Sequence, residues 1–229
     1  MNVSLCIGHT NATYRNMARV AARSIVRKTP GVNVKLVACE DVGHDRNMGT
    51  RFEAYVDESA DWVLACDADV LCFDDLTPII ERAESEGRDF VGRISGRYRK
   101  APKTLRMVQY CNLFRQNNLP ELALHVPNVF FVRGALSRQL AEAANRWTEH
   151  LHRTKQHVLG RPLWSDQVGF TLAIAEMQLS PERLAFFRPS EVANWPDVRR
   201  MNQRPRLVHF GARRWRRFWS RGKILGLMQ

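Results

Sequence analysis

The stretch "DWVLACDADVLCF", Asp61 to Phe73, decides the fold, because it sets a continuous apolar run directly against two carboxylates one residue apart. "WVLAC" has strand length and no polar alternation, the pattern of a strand buried on both faces of a parallel sheet. A carboxylate is costly to bury alone, so Asp67 and Asp69 at the end of such a run need a cation or a set of hydrogen bonds. In an extended Asp-x-Asp the two side chains share a side and can address one divalent ion or its water. Two solvated aspartates in a strand-end turn fit the same residues.

Upstream, "VSLCI" (Val3 to Ile7) reads as a buried strand running into a loop at Gly8-His9-Thr10. In "NMARVAARSIVRKTPG", Met17, Val20, Ala21, Ser24 and Ile25 recur at helical spacing, with arginines between them and Pro30-Gly31 as the stop. "VKLVAC" (Val34 to Cys39) is a second strand. "TRFEAYVDESA" (Thr50 to Ala60) is expected to form a helix running into a strand over "WVLACDADV". This β-α-β-α-β alternation implies an α/β fold with a mostly parallel central sheet flanked by helices.

Downstream, a polar and basic stretch, "GRISGRYRKAPKTLRMVQ", precedes a further buried run, "VPNVFFVRG" (Val126 to Gly134). Helical periodicity follows in "ALSRQLAEAANRWTEHLHRT" and in "SDQVGFTLAIAEM", with Ser165 or Asp166 near the start of the latter, and "RLVHF" (Arg206 to Phe210) is a short late strand. With no internal repeat and no long linker, residues 1–229 are expected to form one domain carrying a basic, aromatic C-terminal segment, 211–229.

Composition narrows the classes. No apolar run reaches the roughly 18 residues of a membrane-spanning helix, and the start lacks the pattern of a secretory leader, so a cytoplasmic protein is expected. Its five cysteines show no CxxC spacing and mostly lie in apolar strand-like runs, which suits reduced, buried thiols. Lys and Arg number 35 against 23 Asp and Glu, a formal net charge of +12. That excess favours an anionic partner: nucleic acid, a phosphate-bearing ligand or an acidic membrane surface.

Four motifs in order carry a resemblance. "DADV" follows an apolar strand; "VPNVFFVRG" sets Asn128 ahead of an apolar run; "WSDQVGF" pairs Asp166 with Gln167; and "VHFGARRW" places His209 before Gly211 and basic residues. Together they resemble the GT-A type glycosyltransferases that use nucleotide sugars, in the family-8-like arrangement. The resemblance spans about residues 3 to 215 and implies a Rossmann-like GT-A domain, a manganese or magnesium ion on Asp67, Asp69 and His209, and a nucleotide-sugar donor with uridine diphosphate. It further implies donor contacts from Asn128, Gln167, Gly211 and Arg214, and from Arg46 and Arg51 ahead of the metal strand. Asp166 is the implied catalytic carboxylate. Val129 stands where the family pattern has Gly or Ser after the Asn. From the residues alone, His209 also fits a core histidine, Asp166 a helix cap, and Arg46 and Arg51 a solvated surface.

For the acceptor, the last 26 residues interleave Arg213, Arg214, Arg216, Arg217, Arg221 and Lys223 with Trp215, Phe218 and Trp219. Such a segment suits phosphate binding with base stacking, and equally an anchor at an anionic membrane. Basic residues in 92–106 and 199–206 incline the expectation to DNA bearing a hydroxymethylated base, an acceptor used by some small virus-encoded glycosyltransferases, which would act in the host cytoplasm. A lipid-linked or cell-surface saccharide is the alternative acceptor, with peripheral membrane association. A non-enzymatic, basic nucleic-acid-binding module is a third reading.

Overall fold

The computed structural model describes residues 1–39, 51–94, 105–123, 125–154, 165–198 and 201–211. Its strands are β1 (Val3–His9), β2 (Asn33–Ala38), β3 (Trp62–Cys66), β4 (Val70–Cys72), β5 (Phe90–Ile94), β6 (His125–Arg133), β7 (Leu184–Phe186), β8 (Val192–Asn194) and β9 (Leu207–His209). The helices are α1 (Ala12–Lys28), α2 (Thr77–Ser85), α3 (Leu105–Gln116), α4 (Gly134–Arg153), α5 (Ser165–Glu176) and the single turn α6 (Trp195–Val198).

Six strands form the central sheet in the order β2-β1-β3-β6-β5-β7. Neighbours β2, β1 and β3 are parallel, as are β5 and β7, while β6 runs antiparallel to both β3 and β5. The apolar run of Trp62 to Cys66 is buried throughout, as its composition requires, and divides its side chains by the two-residue period. Trp62, Leu64 and Cys66 join Val3, Leu5, Ile7, Val129 and Phe131 in a core beneath α1 and α2. Val63 and Ala65 face the other way with Phe130, Val132 and residues of α4 and α5.

α1 begins where Asn11 accepts a hydrogen bond from the Tyr14 N–H, and its last turn carries Arg27 and Lys28, which suit the negative end of the helix dipole. Gly31, at φ +84°, turns the chain into β2. α4 and α5 approach so closely that a Cβ on Gly169 would lie 2.4 Å from Thr148 Oγ1 and 2.8 Å from its backbone nitrogen.

The expected long strand "WVLACDADV" is divided. β3 ends at Cys66, residues 67–69 form a turn, and β4 enters a second, three-stranded sheet of order β4-β9-β8. Ser24 of α1 secures the new direction by accepting the Cys72 N–H at 3.0 Å. The helix expected over residues 50–60 is only a 3-10 turn, Arg51–Tyr55, followed by a bend. Its aromatic residues Phe52 and Tyr55 are buried and pack edge-on, so tertiary packing outweighs the weak helical periodicity there. The described residues of the polar stretch 92–109 are regular: residues 92–94 complete β5 and 105–109 open α3.

Candidate metal and donor site

The turn between the two sheets creates the site. Because β3 ends one residue earlier, Asp67 lies just past the carboxyl end of a parallel strand, where open α/β sheets collect ligands. Its N–H is bonded to the Asn128 carbonyl at 2.9 Å, and the antiparallel course of β6 is what brings the start of that strand to the end of β3. Two residues on, the Asp69 carbonyl accepts the Phe210 N–H at 3.0 Å, and Val70 is registered against His209. The short β4–β9 ladder thereby folds a residue 140 positions downstream onto the turn.

His209 Nε2 lies 3.3 Å from Asp69 Oδ1 and 3.9 Å from Asp67 Oδ2. One ligand atom from each of the three residues falls within 4.8 Å of the others. Two carboxylate oxygens and an imidazole nitrogen fit a divalent ion of intermediate hardness, and the imidazole favours Mn²⁺ over Mg²⁺. Burial alone would lower the His209 pKa; the Asp69 charge and hydrogen bond, joined by Asp67, outweigh it and hold the ring above the ordinary imidazole value.

Beyond the three ligands stands a contact that sequence reading missed. Asn194 Oδ1 is 3.1 Å from His209 Nδ1 and accepts Arg93 Nη1 at 2.6 Å. A guanidinium can only donate, so the Asn194 atom between them is the oxygen, and His209 Nδ1 must carry a proton to bond it. That tautomer leaves the Nε2 lone pair facing the carboxylates, the arrangement a metal-binding histidine needs. Asn194 closes β8, a three-residue strand parallel to β9, and Arg93 comes from β5 of the central sheet, so the contact also joins the two sheets. No sequence signal marks a strand as short as "VAN".

The other expected residues fall as follows. Asn128 is buried near the start of β6, and its Oδ1 has no hydrogen-bond partner among the described residues; the same holds for Gln167 Oε1 on α5. Asp166, the second residue of α5, is buried. Thr171 of α5 accepts the His125 N–H at 3.0 Å, which ties this helix to the end of β6 that carries Asn128. Gly211, at φ +76°, turns the chain just after His209 and Phe210. Arg51 opens the 3-10 turn, while Arg46 and Arg214 lie outside the described residues. On the same edge, His9 ends β1 with its pKa lowered by burial and by Arg15 and Arg19.

No family model and no curated protein matches this sequence. Solved structures do. Mouse xyloside xylosyltransferase 1 is 13% identical with a TM-score of 0.54, over 93% of this chain and 99% of its own. A glycosyltransferase involved in glycosylation of the major capsid of PBCV-1 is 12% identical with a TM-score of 0.62, over 96% and 98%. The galactosyltransferase LgtC, solved in complex with donor and acceptor sugar analogs, is 12% identical with a TM-score of 0.59, over 100% and 95%. At these identities the likeness is one of architecture: the chain has the fold of the GT-A type, family-8-like glycosyltransferases.

Proposed function

We propose that this protein is a metal-dependent glycosyltransferase that moves a sugar from a nucleoside diphosphate, uridine diphosphate first among them, to an acceptor hydroxyl. The observation that carries the reading is the convergence of Asp67, Asp69 and His209 at the ligand-binding edge of a GT-A fold. In the reaction the bond between the anomeric carbon and the diphosphate oxygen breaks, a bond to the acceptor oxygen forms, and the acceptor hydroxyl loses its proton. A Mn²⁺ or Mg²⁺ ion on the three residues would supply electrostatic stabilisation of the diphosphate leaving group. Asn194 keeps His209 in the tautomer that can bind it. Asn128 and Gln167, each with a buried amide oxygen that has no partner among the described residues, can accept hydrogen bonds from sugar hydroxyls, which would satisfy atoms that are otherwise costly to leave alone. Asp166 is assigned to the reacting sugar and the incoming hydroxyl, where a carboxylate can accept the proton or stabilise positive charge at the anomeric carbon.

A saccharide hydroxyl is the acceptor we favour, in keeping with the xyloside and the acceptor sugar analog named for the solved neighbours. The net charge of +12 supports a second reading, an anionic acceptor such as DNA bearing a hydroxymethylated base. Most of the basic segments on which that reading rests, in 95–104, 199–200 and 212–223, lie outside the described residues. The test is a panel of nucleotide sugars with Mn²⁺ and with Mg²⁺, reading released nucleoside diphosphate and labelled product with lipid-linked saccharide, hydroxymethylated DNA and unmodified DNA. Release with at least one donor, increased by an acceptor, is expected; no release with any donor in either metal overturns the reading.

A further inference from the structure

α1 carries Arg15, Arg19, Arg23 and Arg27, each four residues from the last, followed by Lys28, and it contains no Asp or Glu. At 1.5 Å per residue this aligns four guanidinium groups along roughly 18 Å of one helix face. All four arginines are exposed, and no carboxylate of the helix stands three or four positions away to offset their mutual repulsion. The opposite face, with Met17, Val20, Ala21 and Ile25, is in the core.

Beside the stripe runs β2, an edge strand of the central sheet. Between helix and strand lies a cleft of about 470 Å³, lined by Arg19, Arg23 and Arg27 and by Val26, Val34 and Leu36. Val26 is 38% exposed and Val34 41%, so two of the four large apolar side chains most open to water among the described residues meet in this one cleft. A basic helix flanked by exposed aliphatic residues is the composition of a surface that lies against a bilayer: arginines pair with anionic headgroups while the aliphatic groups enter the interfacial layer.

We propose that the α1–β2 face docks this protein onto an anionic membrane. A nucleic-acid backbone would satisfy the arginines but has no use for Val26, Val34 and Leu36, and that decides between the two polyanions. No helix among the described residues is long and apolar enough to cross a membrane, so attachment through this face is peripheral. The catalytic edge lies at the N-terminal end of α1, where β1 hands over to the helix, so a protein resting on this flank holds that edge beside the lipid surface.

The inference stands apart from the proposed reaction, because its test reads sedimentation and not turnover. The full chain is spun with vesicles of 70% phosphatidylcholine and 30% phosphatidylglycerol, and with pure phosphatidylcholine, at low and at physiological salt. Binding is expected only to the anionic vesicles. Arg19→Gln/Arg23→Gln should lower the vesicle partition coefficient about thirtyfold, in line with the headgroup attraction of two charges, and Val26→Asn/Val34→Asn should lower it with no change of charge. Thermal melts of all variants establish that they fold. Failure of the wild type to bind anionic vesicles overturns the proposal. Binding that neither pair of substitutions weakens also overturns it, by placing the contact elsewhere. A parallel titration of each variant with a labelled oligonucleotide completes the test: if the arginine pair weakens both vesicle and oligonucleotide binding while the aliphatic pair changes neither, the face is a nucleic-acid surface and the membrane proposal is wrong.

Discussion

Asn194 Oδ1 sits 3.1 Å from His209 Nδ1, and the Arg93 guanidinium, 2.6 Å away on the same oxygen, fixes which way the amide faces. Two short ladders and the half-buried Arg93 guanidinium are thus engaged in presenting one nitrogen lone pair. Asn194→Leu removes the acceptor while keeping the volume. Mn²⁺ affinity is expected to fall about 10- to 100-fold, as for other groups that orient metal ligands, with a far smaller change in melting temperature. Electron paramagnetic resonance of free Mn²⁺ during titration measures the affinity; an unchanged value in a folded variant would remove Asn194 from the site.

Metal binding should weaken in acid. The Asp69 and Asp67 carboxylates hold the His209 pKa above its ordinary value, and Nε2 can bind a metal only after its proton leaves. Affinity is therefore expected to rise with pH through that raised pKa. In the metal-free protein the sign is opposite: the His209–carboxylate pair contributes stability that is full below the unfolded value near 6.5 and is lost as pH rises through the folded one. Mn²⁺ titrations at pH 6 and pH 8, paired with metal-free melts, check both directions.

His125 gives a separate acid response. Burial between Phe90 and Phe186 lowers its pKa to about 4, so the folded protein refuses a proton that the unfolded chain accepts below about 6.5. Stability present above 6.5 is expected to drain away as pH falls toward 4, by on the order of 3 kcal/mol. In His125→Phe the slope of stability against pH over that window should flatten, whatever the variant's absolute stability. Denaturant unfolding at half-unit pH steps reads the slope; equal slopes would assign the acid response to other groups.

Asp166 separates a helix cap from a reacting carboxylate. Asp166→Asn keeps an oxygen at the start of α5 and removes the charge, so transfer should fall about 10²- to 10⁴-fold with the fold retained. Near-normal turnover in single-turnover assays would leave Asp166 a structural role only.

Much of the central sheet could be read from the chain because three of its strands are almost wholly apolar runs: "VSLCI", "WVLAC" and "VFFV" are buried on both faces. Their direction was not legible. "VPNVFFVRG" has the same pattern read either way, and only the antiparallel pairing with β3 explains how the Asn128 carbonyl meets the Asp67 N–H. The division at Asp67 was hidden because Val70 to Cys72 continue the apolar run while changing sheets. Asp67, Asp69 and His209 could be named from residue type and order, since carboxylates after a buried strand and a histidine after a late one are chemically conspicuous. Asn194 and Arg93 could not, being an amide in a three-residue strand and one arginine among many, 101 positions apart.

The most direct test of the account is Mn²⁺ titration of the wild type and of Asp69→Asn, in the presence of uridine diphosphate and without it. Asp69 is nearly buried against His209, and the amide keeps its shape without its charge. The wild type is expected to bind one Mn²⁺ more tightly with the nucleotide than without, and the variant, folded by its thermal melt, to lose both the site and the nucleotide effect. Equal Mn²⁺ binding in the two proteins would contradict the assignment of the metal to Asp67, Asp69 and His209.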